Sequence, residues 1–72
     1  MDFEHKIVKN IAVLSSANSG WTKELNILSW NKGEPVYDLR NWGPNHNRVG
    51  KGITLAEDEV AALRAALNGG RA

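Results

Sequence analysis

Two periods run along the chain. Lys6 to Leu14 reads Lys-Ile-Val-Lys-Asn-Ile-Ala-Val-Leu, a stretch dense in β-branched and apolar residues that predicts a strand. Ser15 to Gly20 is a cluster of turn formers. Trp21 to Trp30 is the next predicted strand: Lys23, Leu25, Ile27 and Ser29 point one way, Glu24, Asn26, Leu28 and Trp30 the other. Asn31-Lys32-Gly33-Glu34 predicts a tight turn, and Pro35 suits the first residue of a strand or an edge. Pro35 to Trp42 alternates well, with Tyr37 and Leu39 on one face and Val36, Asp38, Arg40 and Trp42 on the other. Gly43 to Arg48 is a loop by composition, and Gly50 to Thr54 a short, glycine-rich last strand.

Beyond Thr54 the period becomes helical. Thr54 with Glu57 three residues on predicts a capping box. Glu57, Asp58 and Glu59 suit the positive end of a helix dipole. Val60, Leu63 and Leu67 form one apolar stripe, four alanines raise helix propensity, and Asn68-Gly69-Gly70 ends the helix. The predicted fold is α+β, an antiparallel sheet in the order ββββ followed by one C-terminal helix laid on one face. One domain spans 1–72, with a core of about 6–68 and flexible ends. One helix stripe covers only part of one sheet face, and two strands remain as edges. The pattern therefore predicts a second copy of the chain as the missing cover.

Length sharpens that expectation. A chain of 72 residues sits near the lower limit of independent stability, where disulfides, metals or partners usually help. Zero Cys removes disulfides, thiolate metal sites and Cys nucleophiles. Only two His, at 5 and 46, argue against a metal site, so neither metal nor cofactor is expected. The longest apolar runs are four residues, as in Ile11 to Leu14, far short of the roughly 20 a membrane span needs. No basic segment followed by an apolar stretch marks a secretion signal at the N-terminus. The expectation is a cytoplasmic protein without membrane contact.

Charge is nearly balanced, nine Lys and Arg against eight Asp and Glu, so net charge does not announce a polyanionic partner. The bias is local. From Trp21 to Gly52 there are five cations, Lys23, Lys32, Arg40, Arg48 and Lys51, against the acids Glu24, Glu34 and Asp38. Catalysis finds no support: His46 is a lone loop histidine, His5 reads as surface or disordered chain, and Asp38 and Glu34 read as solvated charges or a cross-strand partner for Arg40. Gly50-Lys51-Gly52 lacks the spacing of a phosphate-binding loop. No catalytic residue is assigned, and the chain reads as a non-enzyme.

Three Trp in so short a chain are more informative. Trp30 and Trp42 fall on the polar-bearing faces of their strands, which form one surface if those strands pair. Indoles beside cations suit a single strand of nucleic acid, because every unpaired base offers a π-face and cations meet the phosphates. The same rings also suit a core or an interface. Trp21 fits either location.

The run Tyr37-Asp38-Leu39-Arg40-Asn41-Trp42, then a polar loop, then Gly50-Lys51-Gly52-Ile53-Thr54-Leu55, resembles the positive-cofactor-four family of transcriptional coactivators. Gly20-Trp21-Thr22-Lys23-Glu24-Leu25-Asn26 and Ser29-Trp30-Asn31 are similar to its small bacterial YdbC-like branch. The resemblance covers roughly residues 8 to 68. It implies a strongly curved four-stranded sheet and a helix, paired into a homodimer, with single-stranded DNA bound on the sheet surface facing away from the helix. It implies nucleic-acid contacts at Trp30, Arg40, Trp42 and Lys51, with Arg48 near a further basic position, and Lys23 remains a candidate by charge and position. Stacking on bases falls to Trp30 and Trp42, and phosphate neutralisation to Lys23, Arg40, Arg48 and Lys51. The loop from Gly43 to Val49 carries one cation where eukaryotic members are more basic, and no regulatory tail rich in Ser and Lys is visible. The implied function is sequence-tolerant single-stranded DNA binding, coactivator-like, at the nucleoid. Single-stranded RNA is the related ligand, and the transcription machinery is a further partner. The alternative is a protein–protein interaction module docking a peptide or transcription factor on the aromatic sheet face.

Overall fold

A computed structural model describes residues 4–69. The four strands are β1 (His5–Ser16), β2 (Thr22–Trp30), β3 (Val36–Trp42) and β4 (Val49–Leu55), and the helix is α1 (Glu57–Gly69). They form one antiparallel sheet in the order β1-β2-β3-β4, so each strand pairs with its neighbour in sequence. The ββββα reading holds. The expectation of flexible chain ends, and the part of the helix stop assigned to Gly70, fall wholly or partly on residues 1–3 and 70–72, outside the described residues.

The turns follow their local chemistry. Gly20 takes φ +95°, a left-handed value that glycine adopts without strain, and its N–H donates to the Ala17 carbonyl at 3.0 Å. Asn31 and Lys32, the central pair of the tight turn that opens the five-residue connection from β2 to β3, both have positive φ, as a turn that matches strand twist requires. The Gly33 N–H closes that turn on the Trp30 carbonyl at 2.7 Å. The loop after β3 contains one 3-10 turn, Pro44–His46.

β1 departs from simple alternation. Its 12 residues run beside the 9 of β2, and the pairing shifts between Ile7 and Lys9, Asn10 and Ala12, and Val13 and Ser15. Val8, Ile11 and Leu14 are the extra residues, and each bulge bends the strand and increases its twist. The resulting curvature is large. Drawn out straight, β2 would separate Thr22 from Trp30 by roughly 26 Å. Yet His5, which pairs with Trp30, and Trp42, which pairs with Thr22, have ring centroids 5.1 Å apart. The sheet thus has a concave inner face bearing Glu24, Asn26, Leu28, Trp30, Asp38, Arg40 and Trp42, and an outer face bearing α1.

The helix begins two residues later than the capping-box expectation. Thr54 belongs to β4, where it pairs with Asp38. Ala56 stands at the helix entrance: its carbonyl accepts the first helical bond from Val60 N–H at 3.0 Å, and its N–H donates to Glu59 Oε1 at 2.8 Å. One half of a capping box is therefore built from Glu59, while Ala56 has no side-chain oxygen to supply the other half. The stripe of Val60, Leu63 and Leu67 faces an open groove floored by Leu25, Ile27 and Tyr37. It does not close on the sheet, and Leu63 and Leu67 stay 44% and 61% exposed.

Candidate nucleic-acid interface

Strand parity collects the aromatic and polar candidates on the inner face. The register sets Thr22 opposite Trp42, Glu24 opposite Arg40 and Asn26 opposite Asp38. Leu28, Trp42, Asn26 and Asp38 are fully buried there, and Glu24 nearly so. A polar group taken from water needs a partner, and the inner face supplies partners through two networks.

The first centres on Glu24. Thr22 Oγ1 donates to its Oε2 at 2.7 Å and Asn26 Nδ2 to its Oε1 at 3.3 Å. Asn10 Nδ2 reaches across from β1 to donate to Asn26 Oδ1 at 2.7 Å and Glu24 Oε1 at 3.4 Å. His46 Nε2 lies 2.9 Å from Oε2; an ionised carboxylate only accepts, so this nitrogen carries the hydrogen. Burial alone would raise the Glu24 pKa. The bonds from His46, Thr22 and Asn26, with the charge of His46, outweigh it and hold the carboxyl below its ordinary value.

The second network is the pair Asp38 and Arg40, two residues apart on one face of β3. Arg40 Nε donates to Oδ1 at 2.7 Å and Nη2 to Oδ2 at 2.8 Å, while Nη1 donates to the Gly50 carbonyl at 3.0 Å. Asp38 is thus the same-strand partner of Arg40 and fully buried, rather than a solvated or cross-strand charge. Gly52 pairs with Arg40, and the strands approach so closely that a methyl at 52 would run into Arg40 Cα and Cβ and the Leu39 carbonyl.

Aromatic rings line up across the inner face. Arg40 Cζ sits 4.8 Å from the centroid of Trp30. His5 lies 5.9 Å from Trp30 and 5.1 Å from Trp42, and His46 lies 4.9 Å from Trp42. Both histidines differ from the sequence expectation. His5 is the first residue of β1 and half-buried between two indoles, not loose surface chain. His46 is bound to Glu24 and packed on Trp42, not simply solvated. Curvature is the reason in both cases, because it folds the chain start and the loop after β3 over the concave side.

The six residues singled out from sequence do not share one face. Trp30, half-buried, and Arg40, with its side chain 14% exposed, are neighbours on the inner face. Trp42 is on that face too but is 0% exposed, covered by the two imidazoles, and its Nε1 has no hydrogen-bond acceptor among the described residues. Lys23 and Lys51 are exposed and line a shallow cleft with Leu39, Arg40, Asn41, Gly52 and Ile53, in which Lys23, Leu39, Asn41 and Ile53 have the parity of the outer, helix-bearing side. Arg48 is exposed at the end of the loop that His46 anchors. Trp21 packs its ring against Gly50 on β4.

The profile of the family described as Transcriptional Coactivator p15 (PC4) matches residues 17–66, from the first turn into the middle of α1. The chain belongs to the PC4 family. The matched span holds β2, β3, β4, the whole Asp38–Arg40 network and all of the Glu24 network except Asn10 on β1. The family is one of DNA-binding, non-enzymatic coactivators. The chain is also 42% identical, over 67 residues, to an uncharacterized protein of Treponema pallidum (strain Nichols), covering 93% of this chain and 79% of that protein. Among the described residues no group of three His, Asp or Glu could hold a metal ion, and no helix is long and apolar enough to cross a membrane. Sequence reasoning missed His5, His46, Asn10 and the Gly50 carbonyl as parts of the inner face. The alternation of β2 already set Glu24, Asn26 and Trp30 together.

Proposed function

We propose that this PC4-family chain is a homodimeric, sequence-tolerant single-stranded DNA-binding protein, coactivator-like and acting at the nucleoid. The family match over residues 17–66 carries the reading. The inner face supports it: Trp30 stands half-buried on the sheet surface turned away from α1, the place where an unpaired base finds a ring. Stacking tolerates any base, so sequence preference is weak, and duplex DNA, which hides its base faces, binds less well. Exposed Arg48, which follows the His46 loop and packs against Gly43, is a cation free to meet phosphate. Lys23, on the side opposite the inner face, and Lys51, in the same cleft, contact the strand only as it passes the sheet edge or in the groove between two copies.

The test is Trp fluorescence during titration with an oligo-dT of about 20 nucleotides, long enough to occupy several stacking sites. The expected result is saturable quenching that weakens as salt rises, through counterion release, and is poor with duplex of equal length. Absence of quenching and of competition at low salt would reject DNA binding and leave the peptide-docking reading of the aromatic face.

A further inference from the structure

We infer that Arg40 is a positioning residue for Trp30 rather than a phosphate contact, held against the indole by the buried carboxylate of Asp38. The inference rests on the single-stranded DNA reading and assigns one part of that site a different task from the one the family resemblance implied.

The hydrogen-bond count points this way. A guanidinium has five N–H groups in a fixed fork. Two go to the Asp38 carboxylate and one to the Gly50 carbonyl, so three of the five are committed within the fold. The bidentate pair has a rigid geometry that a lysine does not reproduce. Asp38 is wholly buried, and Arg40 is its cationic partner. A phosphate that displaced the carboxylate would leave Asp38 charged and unpaired in the interior, which is strongly unfavourable.

Charge bookkeeping agrees with geometry. Counterion release scales with the number of phosphates a protein neutralises. A guanidinium already neutralised by a buried carboxylate adds little to that number, whereas exposed Arg48, Lys23 and Lys51 have charge to give. The Cζ of the same guanidinium lies over the Trp30 ring, 4.8 Å from its centroid. A cation on a ring face attracts it and fixes its rotamer. Gly52 keeps β4 close enough to β3 for this arrangement, since any side chain there meets the Arg40 backbone and Cβ. The order of support is Asp38, then Arg40, then Trp30, then base.

The experiment measures oligo-dT affinity against salt for wild type, Arg40→Lys, Arg40→Gln and Asp38→Asn. Alongside it, the 19F spectrum of free protein labelled with 5-fluorotryptophan is recorded, with the Trp30 signal assigned through Trp30→Phe. Positioning predicts that both Arg40 variants weaken binding alike, by roughly 2- to 30-fold, the range of a lost cation–π contact. The slope of log K against log salt stays at the wild-type value, and the Trp30 fluorine signal moves in both. Asp38→Asn weakens binding although it removes a negative charge.

A phosphate contact predicts the opposite on each count. Arg40→Lys would keep most of the affinity, Arg40→Gln would lower the slope by about 0.7, and Asp38→Asn would free the guanidinium, tighten binding and steepen the slope. Those results would overturn the inference. If Asp38→Asn does not fold, as read by circular dichroism, the two Arg40 variants decide the matter. If wild type does not bind single strands at all, the DNA reading fails instead. The fluorine spectra then still decide whether Arg40 sets Trp30: an unmoved Trp30 signal in Arg40→Lys overturns the positioning role.

Discussion

Glu24 shows how one buried carboxylate ties three segments together, with Thr22 and Asn26 on its own strand, Asn10 on β1 and His46 in the loop after β3. Its pKa lies below the ordinary value of 4.5. A carboxyl depressed by folding contributes stability that is present above its unfolded pKa and is lost as pH falls through the folded one. The fold should therefore weaken as pH drops below about 4.5. Glu24→Gln should melt less steeply across that acid range than wild type. At neutral pH it should be less stable by about 1–3 kcal/mol, because buried donors lose their acceptor. An acid slope equal to that of wild type would assign the acid sensitivity to another carboxyl. The two inner-face indoles should behave differently from each other. Trp30→Ala should stay folded and bind oligo-dT more weakly by about 1–3 kcal/mol per base stacked. Trp42→Ala empties a fully buried site and should cost about 3–5 kcal/mol of stability, read as a lowered melting temperature. Equal loss of affinity in a stably folded Trp42→Ala protein would mean that the His5 and His46 cover opens to admit a base. At this scale parity in the sequence already told much. Trp30, Arg40 and Trp42 fall on one face, while Lys23, an odd number of residues from Trp30, falls on the other. The histidines were illegible because their contacts come from curvature, which leaves no mark in a two-residue period.

Elements were legible where one pattern dominated and illegible where two competed. β2 and β3 alternate, and their extents agree closely with the sequence reading. β1 shows no two-residue alternation, because Val8, Ile11 and Leu14 each interrupt it as a bulge. Its existence could be read, but its register and the bend it imposes could not. The start of α1 was displaced for a physical reason as well. Thr54 is a good capping residue, but its place in the ladder opposite Asp38 keeps it in β4 and passes the cap to Ala56. That choice leaves room for improvement. Ala56→Ser keeps the bond from the Ala56-position N–H to Glu59 and adds an oxygen for the free N–H groups of the first turn. It should raise stability by about 0.5–2 kcal/mol, the usual difference between a good N-cap and alanine. Thermal melts of Ala56→Ser and of the double variant Ala56→Ser with Glu59→Ala would check it. The gain should shrink in the double variant, since the box works reciprocally.

For the whole molecule the distribution of apolar surface is decisive. Among the described residues only Leu28 and Trp42 are buried apolar side chains, and much of the remaining interior is the polar network of the inner face. Val8, Ile11, Val13 and Leu14 on β1, Ile53 on β4, and Leu63 and Leu67 on α1 are all exposed in the single chain. A folded monomer seldom leaves so large a share of its branched side chains in water, and exposed apolar surface on this scale marks interfaces. The groove between α1 and the outer sheet face offers Leu25, Ile27 and Tyr37 at its floor, which suits the apolar stripe of a second copy. Association of this kind makes stability inseparable from concentration, because each tenfold rise in protein favours the assembled form by mass action. Wild type should therefore sediment at twice the 7.9 kDa of one chain and melt higher at higher concentration. Leu63→Glu combined with Leu67→Glu charges the stripe without touching Glu24, Asp38 or Arg40. It should lower the melting temperature, abolish its concentration dependence and give the single-chain mass or an unfolded chain. A wild-type protein that sediments as one chain and melts at the same temperature across a hundredfold concentration range would exclude the dimer. The inner face alone would then have to account for the stability of the fold.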